Sequence, residues 1–141
     1  MPDAPRERSA LEEAVSAVGD KWALLLVDAL LDGPRRFKEL LEEVPGIAPN
    51  ILSARLKRME GDGVIVAHAY SERPPRFAYE LTATGHELAG ALRLLADWGA
   101  QHGGAEPPRH DPCGTPMEAR WFCPTCGVAL GEDEDPDLHH V

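Results

Sequence analysis

PRRFKELLEEVPGIAPNILSARLKRMEGDG, residues 34–63, holds two helical patterns separated by a short break. Phe37, Leu40, Leu41 and Val44 fall at i, i+3, i+4 and i+7, which is one face of a helix, and the pattern ends at Pro45-Gly46. The next helix has Pro49 in its first turn and runs to Gly61-Asp62-Gly63, with Ile51, Leu52, Leu56 and Met59 as its buried side. Opposite that stripe stand Asn50, Ser53, Ala54 and Lys57, again at i, i+3, i+4 and i+7. A short helix, a tight turn and a second helix with a polar outer stripe make a pair whose second member is presented outward.

The flanking sequence completes the pattern. Upstream, Ser9 and Glu12 fit a capping box that opens a helix through Leu11, Ala14, Val15 and Val18, and Gly19 breaks it. Another helix begins near Asp20, places Trp22, Leu25, Leu26, Ala29 and Leu30 on one stripe, and stops at Asp32-Gly33-Pro34. Downstream the period changes to 2. Val64–Tyr70 and Arg76–Leu81 read as strands, with Phe77, Tyr79 and Leu81 pointing one way, and SERPPR at 71–76 joins them as a proline-stiffened loop. Thr84 and Glu87 fit a second capping box for a long helix through Leu88, Ala91, Leu92, Leu95 and Trp98, fading at Gly103-Gly104. The expected fold is mainly α with a small β-hairpin wing: a winged helix-turn-helix domain over 9–102 and a small zinc-ribbon-like element over 110–130. A Gly/Pro-rich linker at 103–109 separates them, and an acidic tail, 131–141, follows.

Composition sets bounds on function. A chain of 141 residues with 43% hydrophobic content can bury a core. Its longest apolar run, WALLLV at 22–27, is far short of a membrane span and is followed by Asp28. The polar start MPDAPRER has no signal-peptide character, so a cytoplasmic location without membrane contact is expected. The net charge is −10, yet residues 34–76 carry eight basic and six acidic side chains, a local +2 against −12 for the rest. Nucleic acid responds to the local field, so an acidic chain with one basic stretch can still bind it.

The polar stripe has the chemistry for reading bases. Asn50 can pair in two places with an adenine edge, Ala54 can touch a thymine methyl, and Ser53 and Lys57 can reach other acceptors. Arg55 and Arg58 flank the stripe and suit phosphates, as do Arg36 and Lys38 at the start of the preceding helix. Pro49 sits at the helix N-terminus, whose partial positive charge favours an anion. Arg73 and Arg76 in the hairpin loop can enter a minor groove or lie along the backbone.

The blocks GDKW (19–22), LLDGPRRFKEL (30–40), PGI (45–47), ILSARLKRME (51–60) with Asp62-Gly63, YELT (79–82) with Thr84-Gly85, and DWG (97–99) occur in this order. In these the chain resembles the HxlR family of bacterial transcription regulators over about residues 9–99. The resemblance implies a MarR-like winged helix and a homodimer built from the first and last helices of the domain. It also implies a palindromic double-stranded DNA operator, bound as a local repressor or activator. By position, Ala48–Met59 would be the recognition helix and Val64–Leu81 the wing. Two departures stand out. Ser9 occupies a position where many members carry a cysteine that some use to sense oxidants or electrophiles, and Ala48 stands where a serine often caps the recognition helix. Losing that cap should cost about 1 kcal/mol at the helix start.

All three cysteines fall in HDPCGTPMEARWFCPTCG, residues 110–127. Cys123-Pro-Thr-Cys126-Gly has the shape of a zinc knuckle, and His110-Asp-Pro-Cys113-Gly repeats it with histidine first. Four soft or borderline ligands, His110, Cys113, Cys123 and Cys126, suit tetrahedral Zn²⁺ in a structural role. Trp121 and Phe122 are expected to form a small core between the knuckles. His102, Glu118, His139 and His140 are alternative fourth ligands. The H-x-E signature of zinc deaminases is absent around His110, four protein ligands leave no open coordination position, and a CxxC without a βαβ frame is not thioredoxin-like. No catalytic residue is assigned and an enzyme is not expected. The expected function is a homodimeric DNA-binding transcriptional regulator with a structural Zn²⁺. The alternatives are a protein-interaction module on the same scaffold, or a thiol/zinc redox sensor without direct operator binding. The sequence leaves the small-molecule effector unassigned.

Overall fold

The computed structural model describes residues 6–130. Capping begins it: the Ser9 side chain accepts from the Glu12 amide and Glu12 reaches back to the Ser9 amide, the expected capping box, opening α1 (Ala10–Val18). Asp20 caps α2 (Lys21–Leu31) by accepting from the amides of Trp22 and Ala23, both at 3.0 Å. Then follow β1 (Arg35–Arg36), α3 (Phe37–Glu43), α4 (Pro49–Gly61), β2 (Ile65–Glu72), β3 (Pro75–Leu81), α5 (Ala83–His86), α6 (Ala89–Gly103), β4 (Trp121–Cys123) and β5 (Val128–Leu130). Pro49 is in the first turn of α4, and Ala48 at its cap has no side-chain bond to offer.

The chain divides into two compact units, one ending at Leu92 and the other beginning at Arg93 within α6. In the first, α2, α3, α4 and the sheet share one core. Leu26, Leu30, Leu40, Leu52, Met59 and Ile65 are its largest fully buried side chains, joined by Val27 and Val44. Two of the apolar stripes read from the sequence meet there: Leu40 and Val44 of α3 and Leu52, Leu56 and Met59 of α4 are buried, with Ile51 at the edge. The α2 stripe is corrected, since Leu26 and Leu30 are buried but Leu25 is exposed, and the stripes of α1 and α6 leave Leu11, Val15, Leu95 and Trp98 exposed because only one end of each helix reaches the core. The sheet runs β1-β3-β2, wholly antiparallel, with Ile65 opposite Leu81 and Ala69 opposite Phe77, and a bulge between Ala69 and Ser71. The second unit holds the rest of α6 and the β4–β5 hairpin.

Several expectations are corrected. Arg35 and Arg36 form a third strand by pairing with Tyr79 and Ala78, a long-range contact with no local periodicity to announce it. The strands of the wing extend farther toward its tip than the sequence pattern suggests, to Glu72 and from Pro75. Of the face Phe77–Tyr79–Leu81, only Leu81 is buried; Phe77 is 43% exposed because the hairpin leaves the core as it approaches its tip. The cap after β3 is Thr82 and not Thr84, and the long helix is interrupted at Glu87-Leu88, giving α5 and α6. Thr82 prevails because its hydroxyl does two jobs: it accepts from the Gly85 amide at 3.2 Å and reaches the carbonyls of Gly63 and Val64. Trp121 and Phe122 do not form a core, being 51% and 63% exposed. Among the described residues no helix is long and apolar enough to cross a membrane.

Gly85 is buried, and a Cβ there would overlap the Val64 carbonyl oxygen and crowd the Leu81 side chain. Gly85→Ala should therefore destabilise the first unit by about 1–3 kcal/mol, the cost of overpacking. Gly90→Ala, where a Cβ meets nothing within 4 Å, should be neutral or stabilising by up to about 1 kcal/mol. Urea unfolding of the two variants checks this, and equal midpoints would contradict the tight α5 contact.

Candidate nucleic-acid interface

Burial of Leu52, Leu56 and Met59 rotates α4 so that Asn50, Ser53, Ala54 and Lys57 all face solvent. The stripe is continuous and carries donors, acceptors and one methyl. At its N-terminal end Pro49 is exposed and the Ala48 cap makes no side-chain bond. The first amides of α4 are therefore left for solvent or an anion.

The candidate arginines separate into two groups. Arg55 is half-buried and its Nε lies 3.1 Å from Asp20 Oδ2. The angle is poor for a hydrogen bond, so the contact is an ion pair and the buried Nε has no aligned acceptor. Partial burial pushes the Asp20 carboxyl up, but the Ala23 amide, Arg55 and the Trp22 amide together outweigh it and hold the pKa below the usual carboxylate range. Arg58 donates to the Ser16 carbonyl at 2.7 Å and lies 3.8 Å from Asp62. Arg36 is hydrogen-bonded to Glu39, three residues on. These three arginines are engaged within the first unit.

Lys38, Lys57, Arg73 and Arg76 are exposed and have no carboxylate partner among the described residues. Arg73 and Arg76 sit at the wing tip, where the Ser71 hydroxyl closes the turn onto the Pro74 carbonyl at 3.0 Å. Between the start of α3 and the wing lies a cleft of about 400 Å³ whose lining includes Arg36, Lys38 and Arg76 beside Tyr70 and Phe77. The sequence did not single out Tyr70 or Phe77, because the cleft exists only through the pairing of β1 with β3. Exposed cations free of carboxylate partners are what a phosphate backbone requires.

The second unit carries the cysteines, all free thiols. His110 Nδ1 lies 3.3 Å from Cys113 Sγ. The Thr115 hydroxyl and amide, then the His110 ring, hold the Cys113 thiol down at about 7. The amide and side chain of Cys126, then the Thr125 amide, lower Cys123. The four expected ligands thus stand as two close pairs. Among the described residues no group of three or more His, Cys, Asp or Glu is gathered to hold a metal. Glu118 is engaged with Arg120 at 3.0 Å and His102 with the Trp98 carbonyl at 2.8 Å. His139, His140 and the acidic tail lie outside the described residues.

Comparison with known proteins gives the family. A family model described as an HxlR-like helix-turn-helix matches residues 17–107. The HTH-type transcriptional regulator YtcD of Bacillus subtilis (strain 168) is 36% identical over 93 residues, 66% of this chain and 74% of that protein. The HTH-type transcriptional regulator Rv3095 of Mycobacterium tuberculosis is 33% identical over 129 residues, 88% of this chain and 81% of that protein, a match long enough to enter the second unit. The solved structure of the redox regulator HypR in its reduced form superposes with a TM-score of 0.63 at 29% identity, covering 67% of this chain and 94% of that one.

Asp20 supports the interface from behind, by capping α2 and holding Arg55 of α4. Asp20→Ala should lower stability at pH 7 by about 1 kcal/mol for the lost cap, a melting shift of about 4–8 °C for a unit of this size. The folded-state pKa is depressed, so the contribution is present above the unfolded value of 3.8 and is lost as pH falls through the folded value. The gap between wild type and variant should narrow on acidification to pH about 3, as followed by thermal melts. A gap that widens there would contradict the assignment.

Proposed function

We propose, for a chain that belongs to the HxlR-like helix-turn-helix family, that it acts as a homodimer on a palindromic double-stranded DNA operator and so regulates transcription. The observation that carries this is the outward stripe of α4, Asn50, Ser53, Ala54 and Lys57, together with three further exposed cations that have no carboxylate partner among the described residues, Lys38, Arg73 and Arg76. In this reading α4 enters the major groove. Asn50 and Lys57 read base edges, while Lys38 and the wing arginines hold the flanking backbone. Arg55, Arg58 and Arg36 act at one remove. Their internal partners fix α4 and α3, and their charge adds to the local field without a dedicated contact.

A dimer through α1 and α6 is supported by the apolar side chains they expose. Leu11 and Val15 lie one turn apart on α1, at 53% and 57% exposure. Leu94, Leu95 and Trp98 lie on α6, with Trp98 63% exposed and stacked on His102. Residues of this size are left in solvent at a cost that a second copy would remove. A twofold axis would then present two copies of α4 about 34–36 Å apart, one turn of B-DNA.

Operator binding is measured by fluorescence anisotropy on DNA from upstream of the protein's own gene. Lys57→Ala should weaken it by about 1–3 kcal/mol if the lysine reads a base. Arg73→Ala should reduce the slope of log affinity against log salt by about 1, as expected for one phosphate contact. Thermal unfolding should be unchanged in both. Affinities equal to wild type in both variants would remove the DNA reading.

The dimer is tested separately. Trp98→Glu should shift the chain to monomer in sedimentation velocity, and a variant that stays dimeric would place the interface elsewhere.

A further inference from the structure

The two cysteine-bearing segments of the second unit are two copies of one structural device. In the first, the Gly114 amide donates to the His110 carbonyl at 2.7 Å; in the second, the Gly127 amide donates to the Cys123 carbonyl at 2.8 Å. Both glycines take the left-handed backbone, with φ of 70° and 69°. That conformation strongly favours glycine and lets the chain fold back within four residues. Each turn is closed by antiparallel pairing immediately outside it: Arg109 opposite Pro116 in the first, Phe122 opposite Ala129 in the second. The His110 amide bonds the Thr115 carbonyl at 2.9 Å, and the Arg109 guanidinium pins the Gly114 carbonyl at 2.9 Å. The side chains at the first and fourth positions of each turn are His110 and Cys113, and Cys123 and Cys126.

That equivalence extends to ligand spacing. Zinc bonds of about 2.3 Å to sulfur and 2.0–2.1 Å to nitrogen, at the tetrahedral angle, set neighbouring ligand atoms about 3.6 Å apart. His110 Nδ1 and Cys113 Sγ are 3.3 Å apart, close to that edge before any bond is formed. One turn is therefore a bidentate half-site with one nitrogen and one sulfur, and the other a half-site with two sulfurs.

We propose that the second unit binds one Zn²⁺ per chain by closing these two turns on a common metal, with His110 Nδ1 and the sulfurs of Cys113, Cys123 and Cys126 as its four ligands. Each thiol loses its proton to solvent as it binds, and the ion fills four positions with protein atoms. With no position open to water, the site is structural. Zinc joins the segment closed at Arg109–Pro116 to the β4–β5 hairpin, an attachment their apolar side chains do not supply.

The test uses the full-length chain purified under reducing conditions, with metal content by mass spectrometry and Co²⁺ as the spectroscopic probe. One equivalent of zinc, with a tetrahedral Co²⁺ spectrum whose thiolate charge-transfer intensity matches three sulfurs, is the expected result. Cys123→Ser and Cys113→Ser should each cut retained zinc at least tenfold against a chelating dye, while melting of the first unit is unchanged. His110→Cys should keep the metal and raise the charge-transfer intensity by about a third. Zinc below a tenth of an equivalent with an octahedral Co²⁺ spectrum would overturn the proposal. So would Cys113→Ser with undiminished zinc, because the first turn would then lie outside the site. None of these readouts involves DNA, so failure here is distinguishable from failure of the operator reading.

Discussion

Burial of one stripe of α4 decides what this protein can offer to another molecule. Leu52, Leu56 and Met59 are at most 2% exposed, so the helix cannot rotate about its axis without bringing large apolar side chains into water. Each such side chain is worth about 1.5–3 kcal/mol when fully buried. The stripe at Asn50, Ser53, Ala54 and Lys57 is therefore held outward by the core and not by bonds of its own. That leaves its donors and acceptors uncommitted, as a surface that must pair with a changing set of bases requires. The departure at Ala48 fits the same arrangement. A serine cap would have satisfied one amide at the start of α4, whereas here packing alone holds that end and the amides stay available.

Electrostatics sorts the remaining candidates. An overall charge of −10 repels DNA at long range, so binding depends on where the few free cations lie. Carboxylates inside the first unit take up Arg35, Arg36, Arg55 and, more loosely, Arg58. Exposed pairs of this kind contribute little to stability, but they fix geometry. Asp20 does so twice, capping α2 and holding Arg55 of α4, which ties the two helices together. Of the candidate interface cations, those left over belong to the start of α3, the outward face of α4 and the wing tip.

What the sequence made legible was whatever is encoded within a few residues. The capping box at Ser9 and Glu12, the break at Asp32-Gly33-Pro34, the apolar stripes of α3 and α4 and the wing all rest on i, i+3 or i, i+2 relations, and each is present. Thr82 was missed in favour of Thr84 because its decisive partners, Gly63 and Val64, lie in the turn just before β2, far from it in sequence. The pairing of Arg35-Arg36 with β3 was hidden for the same reason. The candidate interface was readable as a set of residue types, whereas the split between engaged and unpartnered arginines was not, since the Asp20 and Ser16 partners lie on other helices. Trp121 and Phe122 show the opposite failure: a local apolar pair suggested a core that so short a segment does not bury.

That failure bears on why the thiols are gathered in one place. In the second unit Met117, Trp121, Phe122 and Val128 are all more than 40% exposed. A two-stranded hairpin of three-residue strands is at best marginal in water. Ordering a residue costs about 1–2 kcal/mol of backbone entropy, and apolar burial this sparse cannot offset it over some twenty residues. The segment nonetheless builds the same glycine-closed turn twice, each time with metal-binding side chains at its first and fourth positions. Repetition of the turn makes little sense as packing, because the large apolar side chains around both copies stay exposed. It makes sense if the turns supply ligands, and if the attraction between thiolates and a cation replaces the hydrophobic core that the segment lacks.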